Sequence, residues 1–183
     1  MDDLFNYRER WQTPAGELEV RPIQDGDEHD LLRFFRERLS ERSNLFLALH
    51  REHTDAEALE AMRSQIAEHQ RRDALVYVAC QDGAIVGYFF LGRLRSPEGL
   101  PPSLGIGLAD ALHGRGIGGR FIDTLIEAAR AIGHQAIELT HYPDNARAAA
   151  LYQRKGFRYT GEQVSWQTRD GMRSEPKMIL RLG

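Results

Sequence analysis

The residues best suited to chemistry in this chain lie between His113 and Gly119, in the run HGRGIGG. Four of its last six residues are glycine, and it stands between a strand-like run, SLGIGL, and a helical stretch, RFIDTLIEAARAIG. Glycine lets the backbone approach an anion with no Cβ in the way, and the first turn of a helix offers free N–H groups and the positive end of its dipole. The run therefore predicts a phosphate cradle, and the number of converging amides suits a diphosphate. The plainer alternative is a strand-to-helix turn that needs glycine only for its dihedrals, but four glycines in six residues exceed what such a turn requires.

Three phosphate-binding patterns compete for this run. A P-loop needs Lys followed by Ser or Thr, whereas Gly119 is followed by Arg120 and Phe121, which leaves nothing to ligate magnesium. The dinucleotide fingerprint G-x-G-x-x-G is met by Gly114, Gly116 and Gly119, with Glu138 about twenty residues on. Against it, the five residues ADALH separate the strand from the first glycine. Glu138 also falls inside the strand-like IELT rather than at its end. An NAD(P)-binding oxidoreductase stays open as an alternative. The third pattern is Gln/Arg-x-x-Gly-x-Gly/Ala, with His113 in the first place and Gly116 and Gly118 in the glycine places. Downstream come the helix, the strand AIELTHY and the segment DNARAAALYQRKGF, with Asn145, Tyr152, Gly156 and Phe157.

Taken together, these two motifs at this separation resemble the GNAT superfamily of acyl-CoA N-acyltransferases, closely over residues 104–157 and loosely elsewhere. The resemblance implies one α/β (α+β) domain with a mixed, mostly antiparallel central sheet of about seven strands, flanked by about four helices. Its fourth and fifth strands part at the cofactor. It also implies acetyl-CoA as cosubstrate, with the diphosphate on His113, Gly114, Arg115, Gly116, Ile117, Gly118 and Gly119. The pantetheine arm would lie along Ile106, Gly107 and Leu108 like an added strand, and an N–H near Leu108 would meet the oxyanion. Asn145 would either bond the arm or cap the next helix. Tyr152 stands where the family places a proton donor to the leaving sulfur, a task its phenol, of reference pKa ~10, suits; a Tyr packed for its ring area is the other reading.

The implied reaction is transfer of acetyl to a primary amine, small-molecule or protein, by direct attack in a ternary complex. A non-catalytic acyl-CoA-sensing module is the alternative. An ammonium of pKa ~10.4 costs about 4 to 5 kcal/mol to neutralise at pH 7, so a base or a desolvating pocket is needed. Some family members carry a Glu twelve residues before the Tyr, and here that position is Thr140. Glu138, on the same strand face, is the base candidate, beside His141, Glu98 and a water chain.

The elements that must hold these residues read in a coarse order. Glu17 to Ile23 alternates as a strand, LLRFFRERLS has helical spacing, and a second helix starts at Thr54 with a capping box to Glu57. ALVYVAC and AIVGYFFLGRL form a hairpin with Asp-Gly in its turn, and VSWQ and MILRL finish the chain around Asp170-Gly171. The helix after the cradle repeats Phe121, Ile122, Leu125, Ile126 and Ala129 and stops at Gly133.

With 183 residues, 42% hydrophobic and 28% charged, the chain suits one domain, over 16–183, after an N-terminal extension over 1–15. No apolar run approaches ~18 residues, and the polar MDDLFNYRERW does not suit a signal peptide, so a cytoplasmic protein without a membrane partner is expected. A net charge of −3, with 22 Arg and two Lys scattered among acids, gives no global attraction to nucleic acid. A homodimer is left open. Cys80 reads as a buried, inert thiol. His50 and His53 lack the spacing of a zinc motif, and no metal is expected.

Overall fold

The computed structural model describes residues 2–45, 54–96, 98–168 and 171–183. After the short α1 (Asp2–Phe5), Trp11 anchors β1 (Glu9–Thr13), which pairs antiparallel with β2 (Gly16–Pro22). In β2 the period-2 pattern puts Leu18 and Val20 in the core and leaves Glu17 and Glu19 exposed. Helix α2 (Asp27–Glu37) is held to this strand by a two-pronged ion pair, Arg21 Nη1 and Nη2 donating to Asp27 at 2.6 and 2.8 Å. Next come α3 (Glu41–Leu45) and α4 (Asp55–Gln70). The capping box expected at Thr54 and Glu57 is present in full. The strands β3 (Leu75–Gln81) and β4 (Ala84–Gly92) meet at Asp82-Gly83, whose φ values of 50° and 79° suit the tight hairpin turn expected of that pair.

The second half is β5 (Ser103–Leu108), a 3₁₀ turn at Asp110–Leu112, α5 (Ile117–Ile132), β6 (Ala136–Thr140), α6 (Ala146–Arg154), β7 (Arg158–Thr168) and β8 (Gly171–Arg181). All eight strands form one sheet in the order β1-β2-β3-β4-β5-β6-β8-β7. Every neighbouring pair is antiparallel except β5 and β6, which run parallel and meet at a single register pair, Ser103 and Glu138. The dinucleotide alternative calls for a largely parallel, doubly wound sheet, so this topology removes it. The sheet has one strand more than the seven expected, and six α-helices stand among the described residues against about four. The added strand is β1, whose only core side chain is Trp11, too sparse a pattern to read as a strand. The added helices, α1 and α3, span only four and five residues.

Helix α5 is seated by its aromatic face. Phe121 is fully buried and stacks on Phe89 with centroids 4.1 Å apart and planes 11° from parallel. Gly87 makes room for it, since a Cβ there would stand 2.6 Å from the Phe121 ring. On the solvent side the Arg120 guanidinium lies 4.0 Å over the Trp11 ring, so β1 also bears on the start of α5. Burying a side chain of the size of Phe121 contributes about 1.5 to 3 kcal/mol, and here that stability fixes the position of the helix start.

The N-terminal segment is fastened by a buried imidazole. His69 Nδ1 accepts the Val76 N–H at 3.1 Å, and Nε2 lies 3.3 Å from the Phe5 carbonyl, so a neutral ring protonated on Nε2 satisfies both. Burial holds its pKa below the ordinary value, against the opposing pull of the Phe5 carbonyl. An unfolded chain binds a proton below about pH 6.5 that the folded one refuses. Stability should therefore be complete above that pH and fall as the pH drops towards the folded pKa. A pH series of melting temperatures checks this. The acid limb should shrink in His69→Gln; His113 and His134, which burial also holds low, and lowered carboxylates such as Glu138 contribute to what remains.

Candidate active site

The cradle is built at the start of α5. Gly114 and Gly116 have φ of +76° and +78°, the left-handed region that side chains disfavour, so the backbone itself requires glycine there. Gly116 caps α5 with no side-chain hydrogen bond, which leaves the first helical amides open. Gly118 is different. Its φ is not positive, and an added Cβ would meet only Leu151 Cδ2 at 3.6 Å and Ile106 Cδ1 at 3.8 Å, both ordinary contacts. Neither strain nor packing within the protein requires glycine at this position. At Gly119 a Cβ would touch Lys155 Cε at 3.4 Å, so a lysine stem lies against the cradle.

His113 is turned away from the role of an anion contact. Its Nε2 lies 2.9 Å from the Leu108 carbonyl, bolting the cradle to the end of β5, and Arg147 stands 3.4 Å from the same nitrogen. Burial and Arg147 hold its pKa low. Asp110 Oδ2 accepts the Ser40 N–H at 3.0 Å, and the Asp110 N–H donates to the Arg38 carbonyl at 3.1 Å, so the end of α2 is tied to the same turn. Arg115 is exposed and donates to the Pro14 carbonyl at 3.3 Å. Beside the cradle, the β5 edge facing β6 has no strand partner beyond Ser103, and Ile106, Gly107 and Leu108 lie on that stretch.

Tyr152 projects from α6 with 7% of its surface exposed, packed edge-on to Phe157 at 6.0 Å and near the His141 ring at 6.3 Å. Among the described residues no group hydrogen-bonds its hydroxyl. Burial, with the negative Glu175 adding to it, pushes the phenol well above its ordinary value, so it keeps its proton. Asn145 is the α6 cap, its Oδ1 accepting the Ala148 N–H at 3.1 Å.

The structure argues against Glu138 as a base. Arg93 hydrogen-bonds one carboxylate oxygen, and Lys177 Nζ lies 2.9 Å from the other and 3.1 Å from Glu162. Burial opposes the charge on Glu138, but the hydrogen bond from Arg93 and the ion pair with Lys177 outweigh it and hold the carboxyl below the usual range. A carboxylate strung between two cations ties β6 to β8 and to the chain after β4, and takes up a proton poorly. His141 is buried, with Nδ1 2.9 Å from the Tyr142 carbonyl and Nε2 3.0 Å from the Tyr159 hydroxyl. Glu98 is exposed and bonded to the Ser96 hydroxyl.

Glu175 on β8, by contrast, carries no motif and is only 5% exposed; burial pushes its carboxyl above the usual range, with Thr140, Arg173 and His141 pulling the other way. Burial pushes the Cys80 thiol up, as expected of an inert one. His50 and His53 lie outside the described residues, among which no three potential ligands gather at a metal-like site. No described helix is long and apolar enough to cross a membrane.

A glycine-opened helix start beside two parallel strands that part after one register pair defines the acyl-CoA N-acyltransferase fold. The acetyltransferase (GNAT) family model matches residues 27–157, and the chain belongs to that family of acyltransferases. Solved structures agree on the fold. RimL, the ribosomal L7/L12 alpha-N-protein acetyltransferase in complex with coenzyme A, superposes with a TM-score of 0.76 at 16% identity, over 94% of this chain and 98% of that one. Mycobacterium smegmatis RimJ in complex with CoA-disulfide gives 0.74 at 21%, over 95% and 86%. The microcin self-immunity acetyltransferase MccE in complex with acetyl-CoA and AMP gives 0.74 at 16%, over 93% and 98%.

Proposed function

We propose that this protein transfers the acetyl group of acetyl-CoA to a primary amine by direct attack in a ternary complex. The observation that carries this reading is the uncapped start of α5, opened by Gly114 and Gly116 and lying beside the free edge of β5. In this reading the backbone of Gly114 to Gly119 holds the diphosphate, with the exposed Arg115 adding positive charge at the rim. The edge from Ile106 to Leu108 hydrogen-bonds the pantetheine amides, and the Leu108 N–H meets the oxyanion. When bound, acetyl-CoA supplies the activated thioester carbonyl. Tyr152 holds a proton at its hydroxyl for the departing sulfur, and His113 positions the cradle through the Leu108 carbonyl. The relatives named above are described with coenzyme A, CoA-disulfide or acetyl-CoA, which supports the choice of cosubstrate.

Thermal unfolding with acetyl-CoA, CoA, NAD and NADP in parallel tests this. A ligand at ~100 times its Kd adds about 2.7 kcal/mol to folding, which for a chain of this length raises Tm by roughly 5 to 10 °C. Acetyl-CoA and CoA should both give such a shift. A shift with NAD or NADP alone overturns the reading.

A further inference from the structure

We propose that Glu175 is the general base that removes the proton from the acceptor amine. The inference rests on the acetyltransferase reading above and supplies the group which that reading lacks. Position 140, where a strand carboxylate would otherwise stand, is a threonine, and the buried Glu175 carboxyl lies close enough for that side chain to favour its charged form. The pairing explains how. Thr140 is the last residue of β6 and lies opposite Lys177 of β8, so Glu175, two residues along on the same face, continues past the end of β6 into the space that strand vacates. The carboxyl that β6 does not carry at position 140 is thus supplied by the neighbouring strand.

The surroundings suit the task. Glu175 lies near Thr140 and His141 at the end of β6, and near enough to Tyr152 on α6 for its charge to disfavour the phenolate. Arg173, on its own strand face, stacks over the Tyr142 ring at 4.8 Å. Lys177, on the other side, is engaged by Glu138 and Glu162, and β7 presents the apolar Val164 opposite. Burial raises the carboxyl's pKa above its usual range, while Thr140, Arg173 and His141 pull back against it. A base whose pKa approaches the working pH is the most effective kind. Glu138 is held by two cations, both nitrogens of His141 have hydrogen-bond partners, and Glu98 is exposed.

The proton count closes. Glu175 takes one proton from the ammonium, directly or through one water, and the freed lone pair forms the N–C bond. The C–S bond breaks with its electron pair on sulfur, which takes the Tyr152 proton. The second proton on nitrogen returns to the phenolate, and Glu175 releases its own to solvent.

The test is Glu175→Gln, assayed for CoA release on spermidine, kanamycin, L-alanine and a peptide with free α- and ε-amines. On whichever acceptor the wild type turns over, kcat/KM at pH 7 should fall by about 100-fold or more. The acid limb of its pH profile should disappear, and activity should recover towards pH 10 as the amine loses its own proton. Acetyl-CoA affinity, unchanged within twofold, controls for folding. If the variant does not fold, a carbon-13 NMR titration of the glutamate carboxyls in the wild type decides instead. One carboxyl must titrate at the pH of the kinetic acid limb, and none doing so overturns the proposal. Unchanged kinetics in Glu175→Gln, or a wild type that binds acetyl-CoA and acetylates none of the four acceptors, also overturns it. A wild type that binds no acetyl-CoA overturns the underlying reading instead.

Discussion

Gly118→Asp should fold as well as the wild type, melt at or slightly above its temperature, and bind acetyl-CoA at least tenfold more weakly. The two effects have opposite signs because a carboxylate at the first turn of a helix answers the dipole that an anionic ligand would otherwise answer. Towards the protein, the new Cβ meets Leu151 and Ile106 at contact distances of 3.6 and 3.8 Å, displacing nothing. A side chain in place of glycine also restricts the unfolded chain, worth up to about 1 kcal/mol. Alanine is no probe of the ligand side, since the Gly/Ala pattern admits it. The carboxylate sets a negative charge beside the amides that would hold a diphosphate, and losing about 1.4 kcal/mol is already tenfold. Isothermal titration with acetyl-CoA, alongside a melting curve, measures both. Undiminished affinity would mean that the cradle holds no phosphate. The same substitution at Gly116 is a poorer probe, since φ of +78° would strain any other residue and confuse folding with binding.

Tyr152→Phe should lower kcat on an accepted amine by about 100-fold or more while leaving acetyl-CoA binding and the fold intact. The phenyl ring keeps its contacts with Phe157 and His141, and no protein hydrogen bond to the hydroxyl is lost among the described residues. What disappears is the proton held for the sulfur. If turnover is unaffected, the buried tyrosine serves packing alone. Because burial and Glu175 both disfavour the phenolate, the defect should persist across neutral pH rather than appear at one end. Pre-steady-state CoA release with saturating acceptor distinguishes this loss from slower product departure.

Local chemistry explains what could be read from the residues alone. Asp82-Gly83, the Thr54–Glu57 box and the Gly133 stop, with φ of +99°, each concern a few consecutive residues, and each stands where the sequence predicts it. Strand β1 escaped because one tryptophan among polar residues has no periodicity. The site was legible where the chain is continuous, from the cradle to the Tyr152 helix, and illegible where partners come from afar. Glu138 looks like a free acid until Arg93, 45 residues earlier, and Lys177 are seen beside it. Glu175 acquires its place only through the pairing of Thr140 with Lys177. That pairing is a fact of the sheet, and no spacing within the sequence encodes it.

The way the sheet ends has a consequence for what can join it. At one rim, β1 shows the solvent Glu9, Arg10 and Gln12; at the other, β7 shows Arg158 and Glu162 and its pairing slips between Tyr159 and Gln163. Charge and irregularity of this kind repel an incoming strand, the usual defence of a sheet against aggregation. The backbone edge between β5 and β6 has no such guard, yet it lies inside the sheet, walled on both sides. The molecule thus carries an unpaired strand edge in its interior, flanked by its own strands, while charge and irregularity guard the two edges that another chain could reach.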